Sequence, residues 1–188
     1  IGDPNFLKRL LEYGIENGID WQKLNVSLIS GGDFITENMR VYLETLIGAN
    51  SAKGNALAIT MGITELGMNL FHESEDTIKI RKLLVKDKSL YKALFGDEQK
   101  LIPLIMHYYP NRMFLESVPN NSPDSDLVFS MLSPAIKTPL IRYSPGDCGK
   151  IFQYNEIKKI LTEKGYPDFV PKLKLPIVAL FGRRNNFV

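Results

Sequence analysis

One cysteine, Cys148, is the only thiol in the 188 residues. Its solitude excludes an internal disulfide and any multi-cysteine zinc site, and leaves no argument for an oxidising compartment. A reducing cytoplasm is therefore the expected location. Charge of one sign is also scarce: 23 Lys plus Arg stand against 21 Asp plus Glu, a formal net charge of +2. That balance does not point to a polyanion such as nucleic acid as a partner. No apolar run approaches the roughly 20 residues that cross a bilayer, and the N-terminal stretch lacks the order of a secretion signal. A soluble chain with no membrane partner is expected. With only His72 and His107 present, the histidines read as structural or loop residues before they read as a metal pair. No internal repeat is visible. What is present is ordinary: 44% apolar and 23% charged residues exclude disorder, and the length suffices for one domain or two small ones. The chain opens on Ile1 and stops shortly after Gly182-Arg183-Arg184-Asn185-Asn186, so a piece of a longer protein is expected.

Asp3-Pro4 is a helix start, because aspartate caps free N–H groups and proline suits the first helical position. Phe6, Leu7, Leu10, Leu11 and Ile15 follow at helical spacing up to Gly18. Leu24 to Ser30 predicts a buried strand that runs into Gly31-Gly32-Asp33. Thr36 opens a helix that Gly48 ends, and Ala56 to Thr60 predicts a second strand ending in a turn at Met61-Gly62. Strand, glycine turn, helix and strand again is the rhythm of a parallel α/β sheet, whose ligands collect at the carboxyl ends of the strands. Residues 31–34 and 61–67 are accordingly the first places to look for a site. Beyond Asp76, Ile78, Ile80, Leu83, Leu84, Leu90, Tyr91 and Leu94 alternate with basic residues, predicting one long or two short amphipathic helices with a solvated charged face. Short runs at Pro103–Tyr108, Arg112–Val118, Asp126–Leu132, Pro139–Tyr143 and Gly149–Tyr154 suggest a second, mostly antiparallel β subdomain. Asn155–Lys164 predicts a helix ended by Gly165, and Leu175–Phe181 a last strand.

Three segments could carry chemistry, and each has a plain alternative. Met61-Gly62-Ile63-Thr64-Glu65-Leu66-Gly67 sets a hydroxyl and a carboxylate between glycines. Thr64 could donate to a phosphate oxygen and Glu65 could hold Mg²⁺ with a nucleotide phosphate; equally, the pair could be a helix cap. Pro139-Leu140-Ile141-Arg142-Tyr143-Ser144-Pro145-Gly146-Asp147 delivers an aspartate able to accept from a ribose diol, or is simply a hairpin turn. Phe181-Gly182-Arg183-Arg184-Asn185-Asn186 brings guanidinium groups that could reach a sugar or a phosphate, or is an exposed basic turn. Cys148, beside Asp147, reads as a small packing residue.

In order, Gly31-Gly32-Asp33, the GITELG of residues 62–67, the PLIRYSPGD of 139–147 and the GRRNN of 182–186 resemble the successive motifs of the adenylate-forming (AMP-binding) enzymes. The likeness is to the branch of phenylacetate-coenzyme A ligase and coenzyme F390 synthetase-like proteins. It is carried by residues 6–48, FLKRLLEYGIENGIDWQKLNVSLISGGDFITENMRVYLETLIG, and by SDLVFSMLSPAIKTPLIRYSPGD at 125–147. Only about residues 76–105 fall outside it.

The resemblance implies an α/β fold, the C-terminal part of the large domain of such an enzyme. Residues 1–75 would form an α/β subdomain segment with a parallel sheet, 76–105 a helical insertion, and 106–188 a β-barrel-like subdomain ending at the hinge to a further domain. It implies activation of a small-molecule carboxylic acid with Mg·ATP, giving an acyl adenylate that passes to coenzyme A. Gly31, Gly32 and Asp33 would wall the adenine, with Met61 where the family usually has an aromatic ring, and Gly62 in the same loop. Thr64 would touch the α-phosphate, Glu65 would bind Mg²⁺, and Asp147 would hold the ribose hydroxyls with Arg183 assisting. The sequence departs from the family's pattern at Asp33, Met61, Ser144-Pro145 and Asn185, and the family's phosphate loop and catalytic lysine would lie outside these residues. An acyl-protein synthetase, or a non-catalytic homologue that binds a nucleotide or a protein, would read similarly.

Overall fold

The computed structural model describes residues 1–50, 54–96, 101–119, 125–132 and 140–184. Pro139, Asn185 and part of the 48–54 connection lie outside them. The chain divides into two compact units, Ile1–Gly62 and Ile63–Val188.

The first unit begins with helix α1, Pro4–Glu16. Asp3 Oδ1 accepts from the N–H groups of Asn5 and Phe6 at 3.0 and 2.9 Å, so the sequence signal and the cap coincide. The expected strand from Leu24 contracts to β1, Leu28–Ser30. Its first half is not extended, because residues 21–25 form a turn in which Asn25 takes φ 50°; at the start of that turn, Trp21 Nε1 donates to the carbonyl of Leu11 at 2.8 Å, and the Trp21 ring lies so close to Gly14 that no Cβ would fit there. Thr36 caps helix α2, Glu37–Leu46, and Gly48 leaves it with φ 61°. Strand β2, Leu57–Ile63, pairs parallel with β1, Leu28 opposite Leu57 and Ser30 opposite Ile59. Leu7, Leu11, Leu43, Ile47, Leu57 and Ile59 form the buried side. Arg40 is buried among them with 0% exposure; its Nε meets Glu37 Oε1 at 3.1 Å and its Nη1 donates to the Leu57 carbonyl at 3.0 Å, tying α2 to β2.

The second unit holds strands β3 (Gly67–His72), β4 (Leu104–Tyr108), β5 (Met113–Val118), β6 (Asp126–Met131), β7 (Asp147–Phe152) and β8 (Ile177–Arg183). They are ordered β3-β4-β8-β7-β6-β5, with every recorded pairing antiparallel. Helices α3 (Glu75–Lys86), α4 (Lys88–Phe95) and α5 (Tyr154–Glu163) complete it. The two short helices beyond Asp76 are as the sequence predicts. They share one core with the sheet and α5, through Ile80, Leu84, Leu90, Leu94, Phe152, Ile157, Leu161 and Ile177. Asp87 joins them: it follows α3, its Oδ1 accepts from the amides of Ser89 and Leu90 at 2.7 and 3.1 Å, and its Oδ2 accepts from the Tyr166 hydroxyl at 2.7 Å.

The chain is thus mixed α/β, but the parallel rhythm expected from the sequence is confined to β1 and β2. Four local expectations are corrected. Met61-Gly62 is no turn: both residues lie within β2, and the chain reverses at 64–66, where the Leu66 N–H donates to Ile63 O at 2.9 Å. β3 follows in place of the helix that a repeating parallel sheet requires. The described part of the 139–143 run is not a strand, because Arg142 sits at φ 52° and Tyr143 alone bridges to Phe129. Asp147 and Arg183, expected in turns, are the first residue of β7 and the last of β8.

Candidate functional site

Register brings the first two site residues together. Asp147 and Arg183 are direct partners across β7 and β8. This end of the ladder is irregular, with a shift between Cys148 and Gly149. Gly149 makes the shift feasible, since a Cβ there would come within 2.6 Å of the Ala179 carbonyl oxygen and 2.9 Å of the Leu127 side chain. The Arg184 N–H donates to Gly146 O at 2.9 Å, and the Arg184 guanidinium is paired with Asp126, whose other oxygen accepts from the Cys148 thiol at 3.8 Å. Arg184 is therefore a clamp on the loop before β7, and Cys148 is buried.

Within this frame the Asp147 side chain is 3% exposed, and its Oδ1 lies 3.5 Å from Arg183 Nε. Its Oδ2 is buried with no hydrogen-bond partner among the described residues. Burial raises the Asp147 carboxyl above the ordinary aspartate range, and the charge and hydrogen bond of Arg183 only partly offset this. Such an oxygen is costly to leave bare, by about 1–3 kcal/mol, and is satisfied at once by a ligand O–H or N–H.

Tyr143 supplies the link to the second motif. Its backbone exchanges two 2.8 Å hydrogen bonds with Phe129. Its ionisation is pushed up by burial first, then by the charge and hydrogen bonding of the Glu65 side chain, with Arg183 opposing and Asp147 adding. Glu65, Tyr143, Asp147 and Arg183 thus form one electrostatic group in the second unit. Arg142 is turned out of it: its N–H donates to Ser130 Oγ at 3.0 Å and its Nε lies 3.4 Å from Glu116.

Thr64 and Glu65 are exposed in the strand-to-strand turn and cap no helix. The remaining predicted residues belong to the first unit. Gly31 has no room for a side chain, the Thr60 carbonyl oxygen lying 2.9 Å from where a Cβ would stand, and Gly32 takes φ 88°. Asp33 is exposed, with Oδ1 accepting from the Phe34 N–H at 2.7 Å. Met61 is half-buried and Gly62 exposed, both within β2.

Sequence reading missed the role of the Tyr143 hydroxyl and the Arg184–Asp126 clamp. The aromatic residue three positions before Gly146 was the available signal for the first; nothing local signals the second. Among the described residues no cluster of three or more His, Cys, Asp or Glu is arranged for a metal ion, and no helix is long and apolar enough to cross a membrane. No protein-family model and no curated protein matches the chain.

Proposed function

We propose that the chain is the C-terminal part of the large domain of an acyl-adenylate-forming ligase, which activates a carboxylic acid with Mg·ATP and transfers the acyl group to coenzyme A. The observation that carries this reading is the bare, buried Oδ2 of Asp147 beside Arg183 and near Glu65. A fixed, acceptor-only carboxylate suits a ribose diol. Arg183 pairs with its first oxygen, which leaves the second to accept from a sugar hydroxyl. Thr64 and Glu65, exposed in one turn, suit the phosphate end of the same ligand. Glu65 fits an Mg²⁺ ion that arrives on a nucleotide and needs only one protein carboxylate, the rest being phosphate and water oxygens; the ion's chemistry there is to neutralise phosphate charge. The first unit's Gly31, Gly32, Asp33 and Met61 carry the motif that the resemblance assigns to the adenine.

Binding of AMP by the purified chain, followed calorimetrically, tests the nucleotide part. Asp147→Ala is expected to weaken it about tenfold or more, the worth of hydrogen bonds to a charged acceptor. An unchanged affinity overturns the assignment of Asp147. On the same reading the phosphate loop and the lysine of the family lie outside these 188 residues, so the chain alone is expected to show no ATP–pyrophosphate exchange; measurable exchange would count against the partial-domain reading.

A further inference from the structure

His72 and His107 lie outside the group just described and face each other across β3 and β4, as direct register partners. Their ring centroids are 6.1 Å apart. His107 is fully buried, and its Nδ1 lies 3.4 Å from the Pro176 carbonyl oxygen. A carbonyl only accepts, so Nδ1 carries the proton and Nε2 the lone pair. That Nε2 is buried and has no hydrogen-bond partner among the described residues, and neither has the buried Nδ1 of His72. An imidazole whose one nitrogen donates to a backbone carbonyl while the other presents a free lone pair is the usual arrangement of a metal-ligating histidine.

We propose that His72 Nδ1 and His107 Nε2 together bind one borderline divalent cation of the Zn²⁺ type, with water completing its coordination.

The distances permit it. With N–Zn near 2.0–2.1 Å, an ion lies roughly 3.2 Å from each ring centre, and tetrahedral ligation brings the centres to within about 5 Å of each other, so side-chain rotation has to close about 1 Å of the 6.1 Å separation. The protonation of both rings is shifted below the ordinary histidine range, the direction that ligation requires. Burial is the first cause for each; the Arg112 charge adds to it at His72, and His72 adds to it at His107, where Pro176 O and Asp76 oppose. Asp76 therefore favours a bound cation and Arg112 disfavours it. Tyr109, stacked on His72 at 5.1 Å, fixes that ring. A structural purpose is apparent in the pairing itself. β3 and β4 share only two register pairs, Phe71–Tyr108 and His72–His107, whereas β4 and β8 share four. An ion on the two histidines would staple the shorter joint.

Titration of the chain with zinc chloride, read by calorimetry, is expected to show one saturable site. His72→Gln, at a half-buried position, is expected to weaken it about tenfold or more while leaving the melting temperature of the metal-free protein nearly unchanged. Zn²⁺ should raise the melting temperature of the natural chain and not that of the variant. X-ray absorption on the zinc-loaded natural chain needs no variant at His107: two nitrogen scatterers near 2.0–2.1 Å with oxygen beyond them are expected. No saturable binding below about 1 mM, equal affinity in His72→Gln, or a sulfur scatterer from Cys148 overturns the proposal.

Discussion

The first unit buries an arginine and the second an aspartate, and the two charges are treated in opposite ways. Arg40 is held by the Glu37 carboxylate at 3.1 Å and the Leu57 carbonyl at 3.0 Å, so its charge is spent inside the protein on joining α2 to β2. Asp147 has Arg183 at 3.5 Å on one oxygen and, among the described residues, no hydrogen-bond partner on the other. A buried charge with partners on several sides organises a core, whereas one left half-partnered is a standing cost that a ligand can remove. The contrast sets a buried charge that joins two elements of the fold against one that keeps an open acceptor.

Arg40→Met should produce the largest effect. It leaves the Leu57 carbonyl and the Glu37 carboxylate facing an apolar chain, and losing one partner of a buried pair costs about 3–5 kcal/mol. Urea unfolding measures it, and a loss below about 1 kcal/mol would mean that Arg40 is no organiser. Asp147→Asn should do the reverse, keeping shape while removing an unfavourable charge. The variant is expected to be at least as stable as the natural chain at neutral pH, and a marked loss of stability would place Asp147 with Arg40 as a core residue.

The pH dependence sharpens the same distinction. Because the folded-state carboxyl of Asp147 is raised above its ordinary 3.8, the folded protein binds this proton more tightly than the unfolded chain. Its charge therefore costs stability at neutral pH, and the cost disappears as pH falls through the raised value toward 3.8. The difference in melting temperature between Asp147→Asn and the natural chain should shrink on acidification across that window; a constant difference would contradict the burial of a charged Asp147. Tyr143→Phe should have the smallest effect, leaving the melting temperature as it is and freeing Glu65. Its signature is a change in the Mg²⁺ dependence of AMP binding, and no change would remove Tyr143 from the group.

Helix ends were legible because they are written locally: Asp3-Pro4, Thr36 and the glycines at 18, 48 and 165 act on their immediate neighbours. Met61-Gly62 misled for the same reason. Gly62 looks like punctuation, yet the strand runs through it to Ile63, and the reversal is made by Thr64–Leu66. The parallel rhythm was over-extended from one real pair, since choosing between parallel and antiparallel partners is a tertiary decision. At the candidate site the residue types were legible and their conjunction was not. That Asp147 meets Arg183 depends on the β7–β8 register and its shift at Gly149, and that Glu65 meets Tyr143 depends on a backbone bridge to Phe129. His72 and His107 read as structural or loop residues in the sequence, and only strand pairing makes them register partners.

Asp87 has a kinetic consequence. One carboxylate both holds the first amides of α4 and anchors the Tyr166 hydroxyl just beyond α5. The α3–α4 corner therefore cannot fray by itself: releasing the Ser89 and Leu90 amides to solvent exchange also releases Tyr166. Corner and helix exit should open as one cooperative unit, with matched protection against deuterium.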